Sequence, residues 1–213
     1  MVTFERARKW YPEADPVHGF DHVLRVYHLA ERLAQAEGAD LEIVRAAALL
    51  HDAIGLENGG QPDARRSHHQ ASAGFAVQIL ESEGWEPERI AAVQHCIRAH
   101  RFRDNSEPPA SLEARVLFDA DKLDAVGATG VARAVAYAAR DGCPAYAPPS
   151  ERFLQSGERE PGEAHSSYHE FLFKLSRLQE RLFTPTARSV AAERHRFMTE
   201  FDERLIREAS GEA

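Results

Sequence analysis

Cysteine and long apolar runs are both scarce in this chain of 213 residues. Cys96 and Cys143 lie far apart and form no Cys-x-x-Cys motif, which argues against a disulfide framework and against a zinc knuckle. No apolar run, residues 46–50 among them, approaches the length that a membrane-spanning helix requires. The charged N-terminal residues lack the apolar core of a signal peptide. We therefore expect a cytoplasmic protein with no membrane partner.

Basic side chains are outnumbered by acidic ones. The chain has 26 Lys and Arg residues against 34 Asp and Glu residues, a formal net charge of −8. Proteins that bind polymeric nucleic acid through its phosphates need a basic face, so we expect no such partner. A small anionic substrate is compatible with this balance, because a bound divalent cation supplies local positive charge.

Alternating stretches rich in β-branched residues are almost absent, whereas helical periodicity recurs along the chain. This pattern predicts an all-α fold. The predicted helices cover about residues 3–11, 21–37, 41–52, 67–80, 87–100, 111–124, 131–139, 165–183 and 186–208, with Asp40, Ser67 and Thr186 as N-caps and a break at 127–130.

Residues 141–164 differ from the rest because they are rich in proline, glycine, serine and charge. We interpret them as a mobile loop or lid. The predicted organisation is a metal-binding core at 1–140, this loop at 141–164, and C-terminal helices at 165–213 that pack on the core to make a single domain overall. A homodimer through the C-terminal helices is compatible with the pattern.

A histidine and an aspartate stand side by side at the end of the apolar third helix, in Leu49-Leu50-His51-Asp52-Ala53-Ile54-Gly55. Burying an imidazole and a carboxylate together is costly unless each has a partner, and a metal ion suits both. Adjacent helical residues point about 100° apart, so the pair can share one ion only at the end of the helix. Gly55 permits the helix to end there.

Two further residues complete a possible ligand set. His22 lies in the first turn of the second helix and Asp121 lies on the sixth. Two imidazoles and two carboxylates suit Mn²⁺, Mg²⁺, Ni²⁺, Fe²⁺ or a catalytic Zn²⁺. On an octahedral ion, four protein ligands leave two positions for water and a substrate oxygen. The core of a helical bundle can bring such ligands together from distant parts of the chain.

The sequence around these residues resembles that of the HD-domain superfamily of metal-dependent phosphohydrolases, in particular a stand-alone bacterial branch similar to nucleotide pyrophosphohydrolases. The resemblance covers roughly residues 15–207 and rests on His18-Gly19-Phe20-Asp21-His22, Leu49-Leu50-His51-Asp52-Ala53-Ile54-Gly55, Asp119-Ala120-Asp121-Lys122-Leu123-Asp124 and His100-Arg101-Phe102-Arg103. It implies an HD-domain helical bundle with additional C-terminal helices. It also implies a hydrolase in which metal-activated water attacks the phosphorus of a small phosphate ester or nucleotide, a nucleoside triphosphate among the candidates.

The resemblance further implies that His22, His51, Asp52 and Asp121 hold one divalent ion and that Asp52 also orients the water. Candidate catalytic residues besides Asp52 are Glu57 and Lys122, and candidate substrate-binding residues are Arg25, His69, His100 and Arg101.

Other interpretations of these candidate catalytic and substrate-binding residues stay open. Arg25 could instead pair with a carboxylate, Glu57 could be a loop residue, and Lys122 could face away from the site. His69, His95 and His100 could build a second metal site, bind phosphate or fill the pocket wall. His68 is expected to face solvent.

Two other functions stay open at this stage. One is an HD-fold di-iron oxygenase, which needs about six ligands that His69 and His100 could complete. Against it stands the absence of an obvious bridging carboxylate besides Asp52. The other is a non-catalytic module that binds a nucleotide or a metal, although modules of that kind tend to lose site residues and the ligand set here is intact.

Overall fold

The computed structural model describes residues 2–11, 19–54, 62–101 and 107–212, with the backbone alone described at 62–67. Ten α-helices and one 3₁₀ helix lie in these ranges, with no strand, so the prediction of an all-α fold is confirmed. The chain divides into two compact units, Met1–Asp121 with Phe183–Ala187 and Lys122–Leu182 with Arg188–Ala213. The predicted boundaries at 140 and 164, like the homodimer, stay predictions.

The first unit is built around a helix whose second half is completely buried. Its members are α1 Phe4–Arg8, α2 Phe20–Glu37, α3 Leu41–Leu50, α4 Pro62–Ser82, α5 Pro87–Ala99 and most of α6 Leu112–Leu123. Helix α3 packs against α2, α4 and α5. Its last five residues, Ala46 to Leu50, are all buried, as an all-apolar sequence predicts for a helix enclosed on every side.

Hydrogen bonds fix both ends of α3. The Asp40 carboxylate accepts from the N–H groups of Glu42 at 2.9 Å and Ile43 at 3.1 Å, which confirms Asp40 as the N-cap. At the other end, the buried Tyr11 hydroxyl donates to the Leu49 carbonyl at 2.9 Å. The helix ends at Leu50, so His51 and the residue after it lie in the turn beyond it.

The second unit contains α7 Gly127–Arg140, α8 Glu151–Ser156, α9 Ser167–Phe173, the 3₁₀ helix Leu175–Arg181 and most of α10 Pro185–Ser210. The predicted break at 127–130 is wrong, because α7 begins at Gly127. The predicted helix at 165–183 is two shorter elements, separated by the non-helical backbone of Lys174. Within the described ranges, none of the helices combines the length and hydropathy that crossing a membrane requires.

Segment 141–164, interpreted as a loop, contains a helix and a network of hydrogen bonds. Ser150 caps α8 by accepting from the Phe153 N–H at 3.1 Å, and the Phe153 ring is buried. The Glu163 carboxylate accepts from the Ser150 N–H and hydroxyl, each at 2.7 Å, and from His169 Nε2 at 3.1 Å. These donors, the Ser150 N–H foremost, lower the pKa of Glu163 to about 2. The signal missed here was the capping serine.

The aspartates within and just after α6 make different contacts. Asp119 is fully buried and accepts three hydrogen bonds, from the Phe183 N–H at 2.9 Å and from the Thr184 N–H and hydroxyl at 2.7 Å each. Thr184 also accepts from the Ala187 N–H, so Thr184 takes the capping role predicted for Thr186. Asp124 pairs with Arg133 at 2.6 Å within the second unit. Only Asp121 is left for the predicted ligand set.

We predict that Asp119→Asn lowers the free energy of unfolding by about 2–4 kcal/mol, because the amide replaces one acceptor oxygen by a donor that faces buried donors. Thr184→Val, which removes only the hydroxyl bonds, is expected to cost about 1 kcal/mol. Urea denaturation of the metal-free protein measures both. An Asp119→Asn variant as stable as the unmodified chain would contradict the role assigned to this carboxylate.

A second stability prediction concerns Asp202 in the second unit. Burial raises its pKa to about 7, and the side chain is 5% exposed. The folded state therefore keeps a proton that the unfolded chain releases near pH 4, so this group's contribution to stability is lost as the pH rises from about 4 to about 7. We expect Asp202→Asn to match the unmodified chain at pH 4 and to exceed its stability by roughly 1–3 kcal/mol at pH 8. Thermal unfolding at the two pH values tests this, and an equal difference at both would contradict it.

Candidate metal centre

The structure brings four side chains predicted as ligands into one part of the first unit. His22 lies near the start of α2, His51 and Asp52 follow α3, and Asp121 lies near the end of α6. The Nε2 atom of His22 is 3.5 Å from Asp121 Oδ1, and the Nε2 atom of His51 is 3.7 Å from Asp52 Oδ2. His22, His51 and Asp52 each offer a ligand atom within 4.8 Å of the other two. The helix end predicted to let His51 and Asp52 meet is present.

Backbone carbonyls fix which nitrogen of two imidazoles carries the proton. His51 Nδ1 donates to the Ala48 carbonyl at 2.8 Å, and His100 Nδ1 donates to the Ile97 carbonyl at 2.5 Å. A neutral imidazole has one proton, so in both rings Nε2 carries the lone pair. Both Nε2 atoms face Asp52, that of His100 at 3.5 Å from Oδ1. A backbone carbonyl that orients the ring in this way is the usual outer partner of a metal-binding histidine.

Burial decides the charge state of His51. Its side chain is fully buried, and this lowers its pKa to about 4 in spite of the opposing effect of the Asp52 charge. Burial alone would raise the pKa of the Asp52 carboxyl, but the positive charge that His51 gains on protonation, with further contributions from His100 and His68, holds that pKa well below its usual range. At neutral pH the centre thus combines a neutral imidazole lone pair with an ionised carboxylate.

These atoms fit a divalent cation. Buried acceptors face one another, and His51 Nε2 lacks a hydrogen-bond partner among the residues that the structure describes. Leaving such groups unsatisfied costs free energy, and a proton does not relieve it because the pKa of His51 is too low. Two imidazoles and two carboxylates are donors that Mn²⁺, Mg²⁺, Fe²⁺, Ni²⁺ and Zn²⁺ all accept. The cluster is suited to a divalent metal.

His68 occupies a different place from the one predicted. It was expected to face solvent, but its side chain is 13% exposed and its Nε2 atom lies 3.1 Å from Asp52 Oδ1. Asp52, His68 and His100 form a second group whose possible ligand atoms lie within 4.8 Å of one another. The neighbouring His69 is buried.

The helical spacing of α4 explains this position of His68. Ser72 lies four residues later, on the same face of the helix. Its hydroxyl accepts from the Ile54 N–H at 3.1 Å and donates to the Ile54 carbonyl at 3.3 Å, which joins α4 to the turn that carries His51 and Asp52. The face of α4 that contacts this turn therefore also carries His68. The sequence carries no signal for this position, because the contact of Ser72 with Ile54 is tertiary.

The remaining candidate substrate-binding and catalytic residues differ in their contacts and burial. Arg25 donates to Asp21 at 2.6 Å, the carboxylate pairing left open above. Arg101 donates from Nη1 to His68 Nδ1 at 3.2 Å. Lys122 is half-buried in the last turn of α6, and Glu57 lies outside the described residues.

Both ring nitrogens of His95 make hydrogen bonds to residues outside the metal centre. Its Nδ1 atom donates to Glu107 at 2.7 Å and its Nε2 atom accepts from the Ala110 N–H at 3.1 Å. Arg98 donates to the same Glu107 carboxylate at 2.7 Å. Both ring nitrogens of His95 therefore attach residues 107–110 to α5, and this histidine is not a candidate ligand.

Comparison with known proteins agrees with the resemblance found in the sequence. Residues 19–126 match the HD domain family. The chain is 36% identical to YpgQ of Bacillus subtilis (strain 168) over 197 residues, which cover 91% of this chain and 85% of YpgQ. The crystal structure of YpgQ in complex with ADP superposes with a TM-score of 0.72 and 33% identity, over 99% of this chain and 100% of that one.

A more distant structure shares the fold. The crystal structure of an HD-superfamily hydrolase from Bacillus thuringiensis superposes with a TM-score of 0.70 and 28% identity, over 97% of this chain and 96% of that one. The matched segment 19–126 contains His22, His51, Asp52 and Asp121 and the helices that carry them. This chain belongs to the HD domain family.

Proposed function

We propose that this protein is a metal-dependent phosphohydrolase that acts on a small phosphate ester or a nucleotide. His22, His51, Asp52 and Asp121 are its metal ligands in this proposal. The observation that carries it is the set of buried acceptors at the end of α3, where the His51 lone pair faces the ionised Asp52 carboxylate and has no hydrogen-bond partner among the described residues. Kinship with HD-superfamily hydrolases supports a hydrolytic reaction.

A bound divalent ion supplies Lewis acidity and positive charge for phosphate oxygens. The residues of this chain contribute orientation. The Ala48 carbonyl holds the His51 ring in one tautomer, and Ser72 holds the turn that follows. Asp52, with one oxygen toward His51 and the other toward His68 and His100, is placed to orient a water molecule for attack on phosphorus.

Nucleotides are the substrates we favour. The relative YpgQ, which matches along nearly the whole chain, has been crystallised in complex with ADP. A chain with a net charge of −8 needs local positive charge to accept a polyphosphate, and a metal centre provides it. Nucleoside triphosphate pyrophosphohydrolysis is the reaction we would test first.

Roles for the surrounding residues belong to the same proposal. Arg25, His69, His100 and Arg101 are candidate substrate-binding residues, and Glu57 and Lys122 are candidate catalytic residues beside Asp52. Of these, His100 is next to a proposed metal ligand, since its Nε2 atom is 3.5 Å from Asp52 Oδ1. Arg25 already pairs with Asp21, which makes it the weakest.

We predict that His51→Gln and Asp52→Asn each lose bound metal and lower the turnover of nucleoside triphosphates by more than about a hundredfold. Changes to the outer partners of metal ligands already cost 10–100-fold, and these variants remove the ligands themselves. Metal content by elemental analysis, and phosphate and pyrophosphate release with Mn²⁺, Mg²⁺ and Ni²⁺, measure both effects. Circular dichroism is expected to show unchanged helicity.

Matched controls are available at exposed positions. His28→Gln on α2 and Asp141→Asn after α7 make the same chemical changes away from the centre and should keep metal and turnover. Full activity of His51→Gln or Asp52→Asn would contradict the ligand assignment. Two irons per chain with oxygen consumption would favour the oxygenase, and metal or nucleotide binding without hydrolysis would favour a non-catalytic module.

A further inference from the structure

Three imidazole rings present their Nε2 atoms to the Asp52 carboxylate, but not all in the same tautomer. His51 and His100 each donate from Nδ1 to a backbone carbonyl, at 2.8 Å and 2.5 Å, so their Nε2 atoms carry lone pairs. In His68, by contrast, the Nδ1 atom faces a hydrogen-bond donor. Its Nδ1 atom lies 3.2 Å from Nη1 of Arg101, in hydrogen-bond geometry.

The contact with Arg101 fixes the proton of His68. A guanidinium group only donates, so His68 Nδ1 must be the acceptor. A doubly protonated His68 would point an N–H at that donor, and the Nδ1–H tautomer would do the same. The neutral ring therefore has its proton on Nε2, the atom that lies 3.1 Å from Asp52 Oδ1.

A protonated nitrogen cannot bind a metal ion. For His68 to become a ligand through Nε2 while still accepting from Arg101, it would have to be an imidazolate, which neutral pH strongly disfavours. The alternative is to break the contact with Arg101, turn the guanidinium away and move the proton to Nδ1. The group formed by Asp52, His68 and His100 thus has the spacing of a metal site, yet one of its members presents an N–H.

We propose that Arg101 limits this centre to one metal ion, because it holds His68 in the tautomer that faces Asp52 with an N–H instead of a lone pair. Arg101 is then a positioning residue that acts through His68, and His68 orients Asp52 without ligating. The inference rests on the proposed metal centre at His22, His51, Asp52 and Asp121, and it does not depend on which substrate is hydrolysed.

The tautomers can be measured directly in the metal-free protein. Long-range ¹H–¹⁵N correlation spectra of histidine side chains distinguish a proton on Nδ1 from one on Nε2. We expect His68 to carry its proton on Nε2 and His51 and His100 to carry theirs on Nδ1. A His68 ring protonated on Nδ1, or on both nitrogens at pH 7.5, would overturn the proposal. This readout depends on neither metal nor activity.

The metal count supplies the second test. Mn²⁺ titrated into chelator-treated protein is expected to bind one ion per chain, with the electron paramagnetic resonance signal of an isolated ion. Arg101→Leu releases His68, and we expect a second ion to bind about ten- to a hundredfold more tightly than to the unmodified chain, the range that outer partners of ligands command. Exchange coupling between two ions that share Asp52 should then appear.

Paired variants separate the tautomer from the lost positive charge. Arg101→Leu combined with His68→Ala has the same charge as Arg101→Leu but lacks the released ligand, so it should bind one ion. Arg101→Lys, which still donates, should also bind one. A second ion in the double variant, a second ion in the unmodified chain, or a single ion in Arg101→Leu would each overturn the proposal. Absence of any metal from the unmodified chain would instead refute the metal centre itself.

Discussion

The site depends on one constraint, which is that acceptor atoms converge where a buried helix ends. Helix α3 is enclosed by its neighbours along its last five residues, so the turn after it is forced into the interior of the first unit. His51 Nε2 and the Asp52 carboxylate meet there. The low pKa of His51 leaves Nε2 without a proton at neutral pH, and no residue that the structure describes donates a hydrogen bond to it. A cation is the group that turns this unfavourable arrangement into a favourable one.

The surrounding structure serves to hold that arrangement. Asp40 fixes the start of α3, Tyr11 binds the Leu49 carbonyl near its end, and Ser72 binds both backbone groups of Ile54 just after Asp52. Each contact comes from a different part of the chain. The position of two functional residues is thus over-determined by hydrogen bonds that take no part in chemistry, as is usual for preorganised sites.

The sequence predicted the helical architecture, and it predicted that His22, His51, Asp52 and Asp121 come together, because both have strong local signals. The apolar run of α3, its Asp40 cap and the placement of His51 and Asp52 just beyond Leu50 could be predicted from periodicity and from one dipeptide. What could not be predicted depends on tertiary contacts. His68 and His69 are adjacent, and only the pairing of Ser72 with Ile54 shows which face of α4 meets the centre. Likewise, Asp119 and Asp121 on α6 look alike in sequence, although Asp119 binds the backbone of residues 183–184 and Asp121 faces His22.

The most direct test of the metal centre is anomalous X-ray diffraction from crystals grown with Mn²⁺, recorded on both sides of the manganese edge. The account predicts an anomalous peak within coordination distance of His22 Nε2, His51 Nε2 and the carboxylates of Asp52 and Asp121. A map in which manganese is bound elsewhere, or in which these four side chains contact no metal at saturating Mn²⁺, would contradict it.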